Sequence, residues 1–377
     1  MKKFKKLLII SLIFMIITNV VICLEGNKVT SVNANVTAEI VMERDSLRIL
    51  KSRNENVKLP IASLTKIVTA ITVIENSSLS DEVVITKESV GIEGSSIYLK
   101  EGEVCTVEEL LYGLMMRSGN DSACALAIHC GKTIENFAKM MNITARNCGA
   151  CDSNFVNPHG LNDADHYSTA NDLALISCHA LQNEVFKKIV ATSKITFKNR
   201  TFVNKNKMLN SYEGANGIKT GYTKKAGRCL VTGAKKNGMQ LVSVVLNCGP
   251  MYERSKELLD ECFGTYKLTK VLSAGEKVGE IDLCNCPSDG KTFDVVLDKP
   301  IYLPLTESEK SKTVISFDGE KSADYPVARG KCVGKICVSI DKDLIFSAKL
   351  YSIYSDNGLS YGETLRGVFA RWSVYEN

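Results

Sequence analysis

Several things are scarce in this chain, and each scarcity removes a class of function. It has only four histidines. None is spaced with the close cysteine pairs Cys148–Cys151, Cys284–Cys286 or Cys332–Cys337 as zinc ligands would be. Prolines number seven in 377 residues, while 45% of residues are hydrophobic and 24% charged. That is the composition of a globular protein, and it excludes collagen-like, coiled-coil and disordered classes. Net charge is scarce as well. The formal +5 belongs mostly to residues 1–34, where Lys2, Lys3, Lys5, Lys6 and Lys28 face only Glu25. The remainder has 42 basic against 41 acidic residues, after removing those five and one from totals of 47 and 42. The body therefore has no whole-molecule attraction for nucleic acid.

Long apolar runs are confined to one place. Four lysines precede Leu7–Leu24, an export-type leader with a small-residue cleavage site at Val32-Asn33-Ala34, before Asn35. The run is long enough that an uncleaved anchor is the alternative. Either form places the body outside the cytoplasmic membrane. Cys23 lacks the small preceding residues of a lipidated cysteine. Of 14 cysteines, Cys124, Cys130, Cys178, Cys229 and Cys248 sit in apolar segments and read as small buried hydrophobes. The odd count after the leader points to mostly free thiols in a low-oxidant setting.

The body reads as alternating helices and strands. Ala38–Met42 and Leu47–Leu50 flank a polar turn and predict a hairpin. Val83–Ile85 and Ile97–Leu99 predict short strands around the polar 91–96 loop. Thr106-Val107-Glu108-Glu109 resembles a capping box and opens a helix running toward Arg117. Helices are expected over Ile134–Arg146, Leu173–Leu181 and Arg254–Phe263. Phe202–Leu209 is polar and reads as irregular. Arg228–Ala234 and Leu241–Leu246 are strong strand runs around the hairpin signal at Lys235–Gly238. From about Leu268 short β-type runs take over: Lys277–Leu283, Phe293–Leu297, Thr313–Phe317, Val333–Ile340 and Leu344–Ser352. Finally Leu365, Val368, Phe369, Trp372 and Tyr375 recur at helical spacing, which suits either a membrane surface or packing on the β module.

Three short motifs carry chemistry. In Pro60–Ile71, Leu64, Ile67, Val68 and Ile71 recur at i, i+3, i+4 and i+7, which predicts a helix beginning near Ile61. Ser63 and Lys66 then lie one turn apart on a common face. An amine can activate a serine if burial or a second cation lowers its pKa. Ser118-Gly119-Asn120 falls on a loop between two buried helices, able to present polar groups accurately. Lys219-Thr220-Gly221 starts an antiparallel strand. His159, in the turn-rich 154–162 segment, reads as structural.

In that order these motifs resemble the three-motif signature of penicillin-recognising serine enzymes. The surrounding text, including Ala62–Ala70, Gly94–Leu99, Arg117–Ser122, Phe155–Leu161, His166–Ala170 and Gly217–Thr223, is similar to the low-molecular-mass penicillin-binding proteins that are serine-type D-alanyl-D-alanine carboxypeptidases (the peptidase S11 family). The resemblance implies an α+β fold, with a helical cluster packed on an antiparallel sheet and followed by a small all-β domain. It divides the chain into a signal peptide (1–34), a catalytic domain (35–265), a β-rich domain (266–360) and a C-terminal amphipathic helix (361–377) suited to peripheral membrane contact.

It also implies roles. Ser63 is the nucleophile, Lys66 its base, and Ser118 passes a proton to the leaving amine. Asn120 binds the peptide amide and orients Lys66. Lys219 and Thr220 hold the substrate carboxylate beside Gly221. The N–H groups of Ser63 and Tyr222 form the oxyanion hole. No metal or cofactor is implied. The implied partners are peptidoglycan stem peptides ending in D-Ala-D-Ala and β-lactams that mimic them, met at the outer face of the cytoplasmic membrane or in the wall. Endopeptidase or transpeptidase action would use the same acyl-enzyme. A β-lactamase would need a glutamate where Pro158 stands in Pro158-His159-Gly160-Leu161-Asn162. A silent wall-binding protein would not need the motif residues.

Overall fold

The computed structural model describes residues 36–352 apart from 199, 286–291, 326 and 329. The leader, Cys23, Cys286 and the C-terminal helix expected from Leu365 to Tyr375 lie outside the described residues. Among the described residues no helix is long and apolar enough to cross a membrane.

The first hairpin forms as expected, with β1 (Ala38–Glu43) antiparallel to β2 (Ile49–Arg53). A 3₁₀ turn at Ala62–Thr65 then leads into helix α1 (Lys66–Asn76). Ser63 thus sits in a tighter turn than the α-helical one expected. β3 (Glu82–Val84) pairs with β4 (Val104–Thr106). Ile97–Leu99, expected as a strand, is not one. The N–H groups of Ile97 and Leu99 bond instead to the Asp121 carboxylate, at 3.0 and 3.2 Å. A buried acid has replaced the strand partner.

Helix α2 (Val107–Tyr112) begins on a half-formed box. Thr106 accepts from Glu109 N–H at 3.1 Å, but the Glu109 carboxylate is drawn to Arg200. A π-helical turn, Gly113–Arg117, ends at Ser118, and helix α3 (Asn120–Gly131) follows. The break is thus narrower than expected, and Asn120 belongs to the helix. Next come α4 (Ile134–Asn147), α5 (Ala170–Ala180) and α6 (Glu184–Ala191). The segment read as irregular contributes to the hairpin β5 (Lys194–Phe197) and β6 (Arg200–Val203), then to α7 (Met208–Ser211). Only Phe202 of β6 is buried, so its apolar alternation is faint.

β7 (Lys219–Thr223), β8 (Gly227–Lys236) and β9 (Met239–Leu246) complete a sheet ordered β2-β1-β9-β8-β7. Helix α8 (Met251–Thr265), with Met208 of α7, covers one face of it, and α1 to α6 pack in the cluster on the opposite face. Alternation sorts the side chains. Ile40, Met42, Val231, Val242 and Val244 face the helical cluster, while Val41, Leu230, Leu241 and Val245 face the α8 side. Burial on both faces explains why β9 reads as a nearly continuous apolar run, interrupted by Gln240 and Ser243.

Beyond α8 the chain is mainly β, from β10 (Lys267–Leu272) through β11 (Lys277–Cys284), β12 (Thr292–Val296), β13 (Ile301–Leu305), β14 (Thr313–Gly319), β15 (Ser322–Asp324) and β16 (Cys332–Ile340) to β17 (Asp343–Tyr351). These form small sheets, with one helical turn, α9 (Glu307–Lys310), between β13 and β14.

Candidate active site

The three motifs meet where the helical cluster abuts the sheet edge. β7 is an edge strand, hydrogen-bonded to β8 on one side. Among the described residues its other edge is open. That edge lies against the Ser63 turn. A Cβ on Gly221 would stand 3.1 Å from Ile61 O and 3.3 Å from Leu64. Glycine there lets the strand approach. On the other side, a Cβ on Gly160 would stand 1.9 Å from Ala62 O, so the 157–162 loop also closes on this turn only through a glycine.

Lys66 is fully buried. Its Nζ lies 3.1 Å from Ser63 Oγ, 2.7 Å from Asn120 Oδ1 and 2.8 Å from His159 O. The Asn120 amide is oriented by its own Nδ2 donating to Glu93 O. Burial first, and the charge of Lys219 second, hold Lys66 well below the usual lysine range. A neutral amine has two hydrogens and one lone pair. The two carbonyl-type oxygens take the hydrogens, and the lone pair is left for the Ser63 hydroxyl.

Ser118 sits at φ 64°, ψ 34°, the left-handed region, at the end of the π turn. Its Oγ accepts from Lys219 Nζ at 3.1 Å, and the same amine bonds to Thr220 O at 2.9 Å. Burial, then the charge of Lys205, pushes Lys219 down to about 7. Tyr222 projects outward with 65% of its surface exposed. Ser63, Lys66 and Asn120 thus form one hydrogen-bonded group, and Ser118 and Lys219 form a second.

Some contributors carried no sequence signal of this kind. His159 serves through its backbone carbonyl, which a motif cannot show. Its imidazole accepts from Leu161 N–H, and burial keeps the ring neutral, down to about 3. Asp121 secures the 96–99 segment beside the motif. Lys205, in the stretch read as irregular, donates to Ser95 Oγ at 3.3 Å and adds charge near both active lysines. Arg254 is bound to Glu39 and Glu257 at 2.7 and 2.9 Å. Glu39 belongs to β1, well removed from β7. Among the described residues no group of histidine, cysteine and carboxylate side chains is placed to hold a metal.

A helical cluster on an antiparallel sheet, with serine and a buried amine at their junction, defines a class: the active-serine hydrolases whose base is a lysine. The comparisons narrow the class. The family model for D-alanyl-D-alanine carboxypeptidase matches residues 26–249, and that for the penicillin-binding protein 5 C-terminal domain matches 266–355. The chain belongs to the D-alanyl-D-alanine carboxypeptidase family and is a serine-type enzyme of it. It is 29% identical over 337 residues to D-alanyl-D-alanine carboxypeptidase DacF of Bacillus subtilis, covering 85% of this chain and 86% of that one. With DacA of Haemophilus influenzae it shares 30% over 333 residues, 84% of each. The solved penicillin binding protein 5 of Haemophilus influenzae superposes with a TM-score of 0.72 at 28% identity, covering 88% of this chain and 98% of that structure.

Proposed function

We propose that this enzyme removes the terminal D-Ala from peptidoglycan stem pentapeptides through an acyl-enzyme on Ser63, and so trims the wall outside the cytoplasmic membrane. The observation that carries the reading is the Lys66 amine, sealed from water and within hydrogen-bonding distance of Ser63 Oγ, Asn120 Oδ1 and His159 O at 3.1, 2.7 and 2.8 Å. Ser63 Oγ attacks the carbonyl between the two D-alanines as its proton passes to Lys66 Nζ. The developing oxyanion lies between the N–H groups of Ser63 and Tyr222. Lys219 and Thr220 hold the terminal carboxylate, with Gly221 allowing the close approach. Asn120 orients Lys66 and binds the peptide amide. The C–N bond breaks as Ser118 delivers its proton to the departing D-Ala amine, and the proton taken by Lys66 passes to the Ser118 oxygen and restores that hydroxyl. Water then cleaves the ester, releasing tetrapeptide and free Ser63.

β-Lactams present the same carbonyl and carboxylate and acylate the same oxygen. Pro158 occupies the place where a β-lactamase would need its water-activating glutamate, so the penicilloyl ester persists. Labelling with a fluorescent penicillin tests the assignment. The wild type retains a covalent label and Ser63→Ala does not; equal labelling of the two overturns it. A synthetic pentapeptide should release free D-Ala rather than cross-linked dimer.

A further inference from the structure

A peptide group is planar and trans, so the direction of its carbonyl sets the direction of its N–H. The group joining Ala62 to Ser63 therefore links two sides of the site. Its N–H is the oxyanion donor, and among the described residues no carbonyl accepts it. Its carbonyl points the other way and is gripped there. Thr65 Oγ1 donates to Ala62 O at 2.8 Å. Ala62 itself holds φ at 49°, a left-handed conformation that alanine adopts at a cost. Something must maintain it.

The grip extends one residue deeper. Thr65 Oγ1 lies 2.8 Å from His166 Nε2. Val156 N–H donates to His166 Nδ1 at 3.2 Å. The Nδ1 lone pair is thereby taken, so the ring proton sits on Nε2 and is donated to Thr65. A hydroxyl that accepts from the histidine has its single hydrogen left for Ala62 O. The chain of donors runs one way, from Val156 through His166 and Thr65 to Ala62. Both side chains are buried, the imidazole stands edge-on to Phe155, and burial pushes His166 down to about 4, so it stays neutral. Neither residue bonds to the Ser63 hydroxyl or the Lys66 amine.

We propose that Thr65 and His166 are positioning residues of the oxyanion hole: by holding the Ala62 carbonyl inward they aim the Ser63 N–H into the cleft. The inference rests on Ser63 being the nucleophile. It predicts a defect in transition-state stabilisation rather than in substrate binding.

The test acylates full-length protein with a penicillin carrying ¹³C at the β-lactam carbonyl and reads the acyl carbonyl band by infrared difference spectroscopy. Acylation rate, peptide KM and melting temperature are followed in parallel. Thr65→Val keeps the shape and loses the hydroxyl. It is expected to acylate about 10- to 100-fold more slowly, with KM within about threefold. Its acyl carbonyl band should move to higher wavenumber as hydrogen bonding to it weakens. Thr65→Ser keeps the hydroxyl and should restore both. A folded Thr65→Val with unchanged band and rate, or a loss expressed wholly in KM, overturns the proposal. Should Thr65→Val not fold, His166→Phe removes only the outer donor. A band shift there supports the relay and an unmoved band refutes it. Failure of the nucleophile assignment looks different: the wild type forms no serine ester band, and labelling survives in Ser63→Ala.

Discussion

A lysine sealed from water loses the hydration that supports its charge, and Lys66 owes its free amine chiefly to that. Lys219 adds a smaller push whenever it is protonated, which for this buried amine means below about pH 7. The sign of the pH effect follows. A base with a depressed pKa fails as pH falls through that pKa, so the acidic limb of kcat/KM reports Lys66. In Lys219→Gln the limb should move to higher pH, because the protonated Lys66 is no longer repelled. It should not reach the ordinary lysine range, since burial persists. The same variant loses a charged partner for the substrate carboxylate, and kcat/KM above the limb should fall about 10- to 100-fold. A pH–rate profile for peptide hydrolysis checks both, and an unmoved acidic limb would remove the electrostatic role from Lys219.

At the scale of elements, the site depends on how closely a strand, a turn and a loop can approach. β7 lies against the Ser63 turn with room for no side chain at Gly221. In Gly221→Ala the new methyl must displace Ile61 O and Leu64 by a few tenths of an ångström. The expected result is a modest loss of stability, about 1 kcal/mol or less, and a disproportionate loss of acylation, about tenfold, because misplacement of the oxyanion donors is amplified in rate. Stopped-flow acylation against thermal melting decides it; equal, small effects on both would mean the gap has slack. The same scale shows what sequence could reveal. The helix that follows the Ser63 turn, the capped start of α2, and strands β8 and β9 have strong local patterns, and they form. Ile97–Leu99 has the pattern of a strand, but the Asp121 carboxylate, 22 to 24 residues on, takes its N–H groups. The β5–β6 hairpin packs largely through Phe197 and Phe202, with ring centroids 6.1 Å apart, too few apolar positions to announce two strands.

Across the whole molecule, the β-rich region is joined to the catalytic region at the edge opposite the active site. Arg48, just before β2, bonds to Pro304 O and to Glu309, the latter at 2.5 Å, and its guanidinium lies 5.4 Å from the centroid of the Tyr266 ring. β2 and β7 are the two edges of the five-stranded sheet, four strand spacings of about 4.8 Å apart. Arg48→Ala leaves Glu309 partly buried without its partner, which should cost about 1–3 kcal/mol. Hydrogen exchange in β13 and α9 should rise, while fluorescent-penicillin labelling of Ser63 stays at the wild-type rate. A fall in labelling would show that the two regions are coupled.

The sequence by itself determined the reaction class, because three motifs of defined order can be read wherever local periodicity sets the element that bears them. It also determined the α+β architecture and the β-rich end, since apolar spacing records which faces must be covered. Tertiary structure alone decided the environment of each group. Burial, more than the second cation, lowers the proton affinity of Lys66; a backbone carbonyl at His159 completes its shell; and the hydrogen-bond partners of Asp121, Lys205, Thr65 and His166 could not be read from their local pattern. Proton affinity and hydrogen-bond direction depend on the local surroundings, and those neighbours come from parts of the chain about a hundred residues away and more.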